Sequence, residues 1–139
     1  MVHVIMGRKG TGKTKRLIDM ANDSLKTEGG YVVFLDDDKR YMYDLRHEIR
    51  FVDLSEYCKR EERSADMFYG LIAGMISVNY DITLIFVDAF KKLVNVDLNT
   101  LEPLFIHLNA LCEARNVKMV LSVSADESEL PEFITRLAI

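Results

Sequence analysis

Eight consecutive residues near the start of the chain, 7–14, match the phosphate-binding pattern G-x-x-x-x-G-K-[ST] at every fixed position. Glycines in such a loop let successive backbone N–H groups point toward one phosphate. Lys13 would reach the β- and γ-phosphates of a nucleotide from an exposed position, and the Thr14 hydroxyl would coordinate Mg²⁺. We therefore expect the following residues to bind a nucleotide: Gly7, Arg8, Lys9, Gly10, Thr11, Gly12, Lys13, Thr14 and Lys15.

Carboxylates follow two apolar segments that read as buried strands. Asp88 comes directly after residues 82–87, where it could hold Mg²⁺ together with Thr14. Three aspartates, Asp36, Asp37 and Asp38, follow residues 31–35. One of these three could polarise the water that attacks a γ-phosphate, and we favour Asp38 over Asp36 as the catalytic carboxylate. A solvated acidic turn is the alternative, and the sequence supports the catalytic and the solvated interpretations about equally.

Two hydroxyls end the strand predicted for residues 117–124. Ser122 or Ser124 could lie beside a γ-phosphate and respond to its presence, or the strand could simply emerge into solvent there. Both serines are included among the expected nucleotide-binding residues. Lys13 is expected to act in catalysis as well as in binding, because phosphoryl transfer depends on positioning and on charge neutralisation.

The elements that must position these side chains can be read from hydrophobic periodicity. A short apolar strand over residues 2–6 leads into the loop, and a helical pattern follows the loop. Residues 49–54 alternate as an edge strand does, and Ser64 can cap the helix that follows it in the chain. Within that helix, Gly70 and Gly74 lie one turn apart, which we interpret as close packing against the sheet.

Two further segments are given structural roles. Residues 39–47 mix basic and aromatic side chains, and an exposed connecting helix is favoured about two to one over a surface that stacks a base or contacts a partner. Residues 55–63 read as a charged surface connection without a more specific role.

Composition limits the classes of function. The 139 residues suit one domain, 1–139, with 49% apolar and 29% charged residues. The net charge of −4 argues against a broad nucleic-acid-binding surface, so a nucleic-acid partner is not indicated. Cys58 and Cys112 stand in no metal or redox spacing, which favours reduced thiols in a cytoplasmic protein. No apolar run of 18 residues indicates a membrane segment, and the apolar N-terminal run reads as a strand rather than as a signal peptide.

The succession of these elements resembles the core of RecA-like P-loop ATPases. The segment from Phe34 to Asp38 is similar to the strand that carries the catalytic glutamate in that group, and the segment 122–124 to the strand of the γ-phosphate sensor. One departure is Ala89, because many ATPases of the superfamily have a catalytic glutamate directly after the aspartate. Over its full length the chain also resembles small uncharacterised bacterial ATPases, often labelled twitching-motility (pilus-retraction) proteins, through residues 7–14, 81–88 and 122–132.

The resemblance implies a three-layer α/β fold with ATP and Mg²⁺ as ligands. It predicts a mainly parallel five-stranded sheet in the order 49–54, 31–35, 82–87, 118–123, 2–6. We expect a Mg-dependent ATP-binding protein that hydrolyses ATP slowly or with stimulation by an unidentified protein partner. The alternatives are a nucleotide-dependent switch or assembly subunit without enzymatic activity, and a small-molecule kinase. ATP is favoured over GTP, and the sequence leaves open whether the chain forms an oligomer.

Overall fold

A computed structural model describes residues 1–139 as five strands and five α-helices joined by short turns. The strands are β1 (Val2–Gly7), β2 (Tyr31–Asp36), β3 (Arg50–Asp53), β4 (Ile82–Val87) and β5 (Lys118–Ser124). The helices are α1 (Lys13–Ser24), α2 (Ala65–Val78), α3 (Phe90–Val94), α4 (Glu102–Arg115) and α5 (Glu132–Thr135).

All five strands are parallel, in the spatial order β3-β2-β4-β5-β1. This confirms the predicted order, including the placement of β5 between β1 and β4. The register pairs Gly7 with Ser124 and Leu35 with Val87. The carboxyl ends of the central strands therefore meet at one edge of the sheet, which is where open α/β sheets bind their ligands.

Helices cover both faces of the sheet unequally, giving three layers. Helix α1 packs on one face through Leu17, Ile18 and Ala21, in a cluster of 11 buried residues. The helices α2 to α5 pack on the other face, in a cluster of 27 buried residues. The strands are apolar on both sides because both faces are covered.

The two edge strands differ in whether another segment of the chain pairs with their outer edge. On β1, the backbone of Val4 accepts a hydrogen bond from Ile139 and donates one to Leu137, at 3.0 and 2.9 Å. This short pairing covers the β1 edge with the chain's own residues 137–139. Strand β3 ends the sheet on the other side without a further strand beyond it.

Three local expectations are corrected by the structure. Residues 39–47 form no connecting helix beyond a single 3₁₀ turn at Met42–Asp44, because the Asn22 side chain bonds the carbonyl of Asp44 and the N–H of Arg46. The glycines at positions 70 and 74 face solvent rather than the sheet. The 55–63 connection contains a buried arginine, described below. The Ser64 cap is confirmed, since its hydroxyl accepts from the Met67 N–H at 3.0 Å.

Candidate functional site

The loop between β1 and α1 presents a set of backbone donors that nothing in the chain satisfies. Gly10 and Gly12 adopt φ values of 84° and 87°, which favour glycine over any residue with a Cβ. The N–H groups of Gly10, Gly12, Lys13 and Thr14 donate to no acceptor in the protein. Unpaired donors grouped at a helix N-terminus form an anion-binding concavity.

The Lys13 side chain is buried, not exposed as the sequence suggested. Its Nζ donates to the carbonyl oxygen of Arg8 at 2.9 Å, so the lysine folds back across the loop. Burial lowers the pKa of Lys13, while the nearby charge of Asp88 acts in the opposite direction. The ammonium group is therefore held against the loop by a single backbone acceptor, which a phosphate oxygen could replace.

Asp88 is held by hydroxyls on both of its oxygens. Thr14 Oγ1 donates to Asp88 Oδ2 at 2.8 Å, and Ser122 Oγ donates to Asp88 Oδ1 at 2.5 Å. Ser122 is itself buried and accepts from the N–H of Ala89 at 3.0 Å. The side chain of Ser122 thus contacts the carboxylate, whereas Ser124 is the β5 hydroxyl that lines the open cavity.

The three consecutive aspartates lie in three different environments. Asp36 ends β2 and is buried; desolvation raises its pKa to about 7, and Asp88 adds to this effect, although the N–H of Asp37 donates to its Oδ1. Asp38 is half exposed and pairs with Arg40 at 3.4 Å. Among the three, Asp38 is therefore the carboxylate with the freest access to the cavity.

Asp37 is bound by two arginines from the connection before α2. Arg63 Nη1 lies 2.6 Å from Asp37 Oδ1, and Arg60 Nη2 lies 3.2 Å from Oδ2. The side chain of Arg63 is only 2% exposed, and it also donates to the carbonyls of Lys92 and Cys58. No sequence pattern indicates this role, because a buried arginine cannot be distinguished from its exposed neighbours within a charged run.

These groups surround one polar cavity of about 930 Å³ between α1 and the β2 end. The basic side chains that line it come from the loop, from the turn after β2 and from α3: Lys9, Lys13, Lys15, Arg40, Lys91 and Lys92. The carboxylates Asp36, Asp37, Asp38 and Asp88 face the same space. Arg8 lies apart from this cavity lining and pairs with Asp126 after β5.

The oxygen ligands beside the loop suit Mg²⁺ only when a nucleotide supplies further ligands. The Thr14 hydroxyl and the Asp88 carboxylate are hard oxygen donors in direct contact, the ligand type that Mg²⁺ prefers. No group of three or more aspartate, glutamate, histidine or cysteine side chains could hold a metal. Mg²⁺ commonly binds through one or two protein oxygens plus phosphates and water, so the residues present fit an ion that arrives with a nucleotide.

Comparison with solved structures identifies the class of fold. The flagellar accessory protein FlaH from Methanocaldococcus jannaschii matches with a TM-score of 0.61 at 14% sequence identity. The match covers 97% of this chain and 65% of the FlaH chain, so this chain spans less than two thirds of the length of FlaH. No protein-family model matches the chain, and no curated protein matches it.

The chain therefore has a RecA-like α/β fold with an all-parallel five-stranded sheet, a fold it shares with FlaH. None of its helices combines the length and the hydrophobicity needed to cross a bilayer.

Proposed function

We propose that the protein binds Mg·ATP at the loop of residues 7–14 and hydrolyses it slowly or in response to a partner. The observation that carries this proposal is the convergence of four unsatisfied backbone N–H groups, Lys13 and the Thr14–Asp88 contact on one cavity. A RecA-like fold places that cavity at the carboxyl ends of the strands, where such a ligand is expected. The cytoplasm is the compartment we propose, because both cysteines are free thiols.

In this proposal the loop holds the phosphates by its backbone donors, while Lys13 leaves the Arg8 carbonyl to contact the terminal phosphate. Mg²⁺, when it is bound with the nucleotide, neutralises phosphate charge. Thr14 and Asp88 hold the ion, and Ser122 keeps the Asp88 carboxylate in the orientation for this contact. Asp38 orients the attacking water. Its side chain is one methylene shorter than glutamate, which accounts for a slow basal rate.

Two alternatives use the same site. In a nucleotide-dependent switch, binding would reorganise the loop without turnover and a protein partner would read the change. A small-molecule kinase would need an acceptor site covered by an arginine-bearing lid. Arg40 is the arginine that lines the cavity, and it is paired with Asp38. We favour the ATPase because the Asp38 side chain is open to the cavity. The proposal does not include the role in pilus retraction that the family label names.

The rate of ADP release with ATP and with GTP, alone and with cell extract, separates these functions. A slow basal release of ADP that requires no acceptor supports the ATPase, and acceptor-dependent release supports the kinase. Tight binding without any turnover, also in the presence of extract, supports the switch. Asp88→Asn measured in parallel is the control for contaminating ATPases, since residual activity at the parental rate in that variant would come from another protein.

A further inference from the structure

Helix α2 presents an outer face that lacks the charged residues typical of a solvent-exposed helix. Its 14 residues include a single charged one, Asp66, in the first turn. Three large side chains point into the core, and the opposite, exposed stripe consists of Asp66, Gly70, Gly74, Ser77 and Val78. A surface helix ordinarily carries polar and charged residues along such a stripe. This face is therefore suited to contact with another protein surface.

The two glycines on that stripe have no role in the packing of the single chain. A Cβ added at Gly70 or Gly74 would meet no atom within 4 Å. Glycine is the poorest helix former after proline, so these positions weaken α2 without a gain in the monomer. Small residues one turn apart do allow a second helix to approach closely, backbone against backbone.

An apolar groove continues this face toward the open edge of the sheet. It has a volume of about 520 Å³, and eight of its ten lining residues are hydrophobic, among them Met75 and Val78 of α2 and Val52 of β3. Arg50 lines the groove as its single cation. Neither the guanidinium of Arg50 nor the carboxylate of Asp66 forms an ion pair or a side-chain hydrogen bond in the chain.

We propose that a second copy of this chain covers the surface, with the two α2 helices packed antiparallel about a two-fold axis that passes between Gly70 and Gly74 on the exposed side of α2. The midpoint lies at position 72: Asp66 precedes it by six residues, and Val78, which lines the same groove as Arg50, follows it by six. A two-fold axis there brings each Asp66 toward the second copy's Arg50. One unpaired acid and one unpaired base at opposite ends of a surface that carries no other charge are self-complementary, as an isologous interface requires.

Sedimentation velocity of the purified protein over a range from micromolar to millimolar concentration tests this pairing. We expect a species of twice the 16.0 kDa chain mass. Asp66→Arg and Arg50→Asp should each raise the dimer dissociation constant about tenfold or more, because each places like charges together. The double variant, with the charges exchanged, should restore most of the lost affinity. A monomer at all concentrations would overturn the proposal. So would a dimer whose dissociation constant is unchanged in both single charge-reversal variants.

The glycines provide a second test that does not depend on charge. Because alanine favours a helix over glycine, Gly70→Ala with Gly74→Ala should raise the melting temperature of dilute, monomeric protein while weakening the dimer. Gly29→Ala, which also adds a methyl group in open space, is the matched control and should leave the dimer unchanged. A higher melting temperature with an unchanged dimer would show that α2 lies outside the interface and would contradict the proposal. The sedimentation and melting measurements do not depend on nucleotide binding, so they test the dimer separately from the proposed function.

Discussion

Ser122 Oγ donates to Asp88 Oδ1 at 2.5 Å, so this buried hydroxyl of β5 holds a carboxylate and does not line the cavity. Thr14 occupies the other carboxylate oxygen. The orientation of Asp88 is therefore fixed by two neighbouring elements, β5 and α1, before any ligand is bound. Preorganisation of this kind reduces the ordering that a ligand would otherwise require.

This geometry makes Asp88→Asn a test of metal-dependent binding. Replacing the carboxylate by an amide removes the charge that we propose interacts with Mg²⁺ in the ground state. ATP affinity measured by calorimetry should fall in the presence of Mg²⁺ and should change little in EDTA, and turnover should fall as well. An equal loss of affinity with and without Mg²⁺ would indicate a damaged site and not the loss of a metal ligand.

Asp38→Asn is expected to act on turnover alone. If Asp38 orients the attacking water, its loss lowers the turnover rate about 10²-fold while the dissociation constant for ATP stays nearly constant. Asp36→Asn is the matched comparison at the other end of the triple-aspartate turn. If Asp38→Asn hydrolyses ATP at the parental rate, Asp38 is not the residue that orients the attacking water.

The individual strands and the loop could be predicted because both depend on local patterns, whereas the order of the strands followed from the resemblance to RecA-like ATPases. Apolar runs that end in Gly7, Asp36 and Asp88 indicate parallel strands, and the glycine spacing indicates the loop. The side-chain partners could not be predicted, because they depend on contacts between residues far apart in the chain. Ser122, for example, was one of two serines that could lie beside a phosphate, and its hydrogen bond to Asp88 was not indicated by the pattern of β5.

Arg63 is a second residue whose burial and partners could not be predicted from the sequence. The run of residues 59–63 reads as solvated surface, yet Arg63 is enclosed by Asp37 and two backbone carbonyls. Its Nε is buried and has no hydrogen-bond partner. Periodicity cannot identify which member of a charged run is buried, because this depends on how the connection folds over the β2 end. The exposed face of α2 was missed because its outer stripe carries a single charged residue, Asp66, and two glycines that the sequence analysis assigned to packing against the sheet.

Replacing Arg63 should therefore be costly for stability. Arg63→Ala leaves Asp37 with only the more exposed Arg60 and two carbonyls without donors, and we expect a loss of about 3 kcal/mol in the free energy of unfolding. Arg60→Ala is the matched control and should cost less than about 1 kcal/mol, because its guanidinium is largely exposed. Urea denaturation measures both changes. Similar small losses in the two variants would contradict the role given to Arg63.

The buried Asp36 carboxyl predicts a pH dependence of stability in the absence of ligand. Its folded-state pKa of about 7 lies above the ordinary value of 3.8, so the folded protein keeps a proton that the unfolded chain releases. The contribution of Asp36 to stability is fully present below pH 3.8 and is lost as the pH rises to about 7. Asp36→Asn should remain neutral throughout and gain stability relative to the parent across this window. Parallel stability curves for the two proteins would show that Asp36 does not titrate in this range.

The most direct test of nucleotide binding at the loop is calorimetry of Mg·ATP with the Lys13→Ala variant. Lys13→Met retains the buried aliphatic stem, and Arg16→Ala, an exposed residue of α1 outside the cavity lining, is the control. A hydrogen bond to a charged group is worth about 1.5 to 3 kcal/mol, so both Lys13 variants should bind ATP about 10- to 150-fold more weakly. Arg16→Ala should bind as the parent does. An unchanged dissociation constant in both Lys13 variants, with the fold intact by circular dichroism, would contradict phosphate binding at this loop.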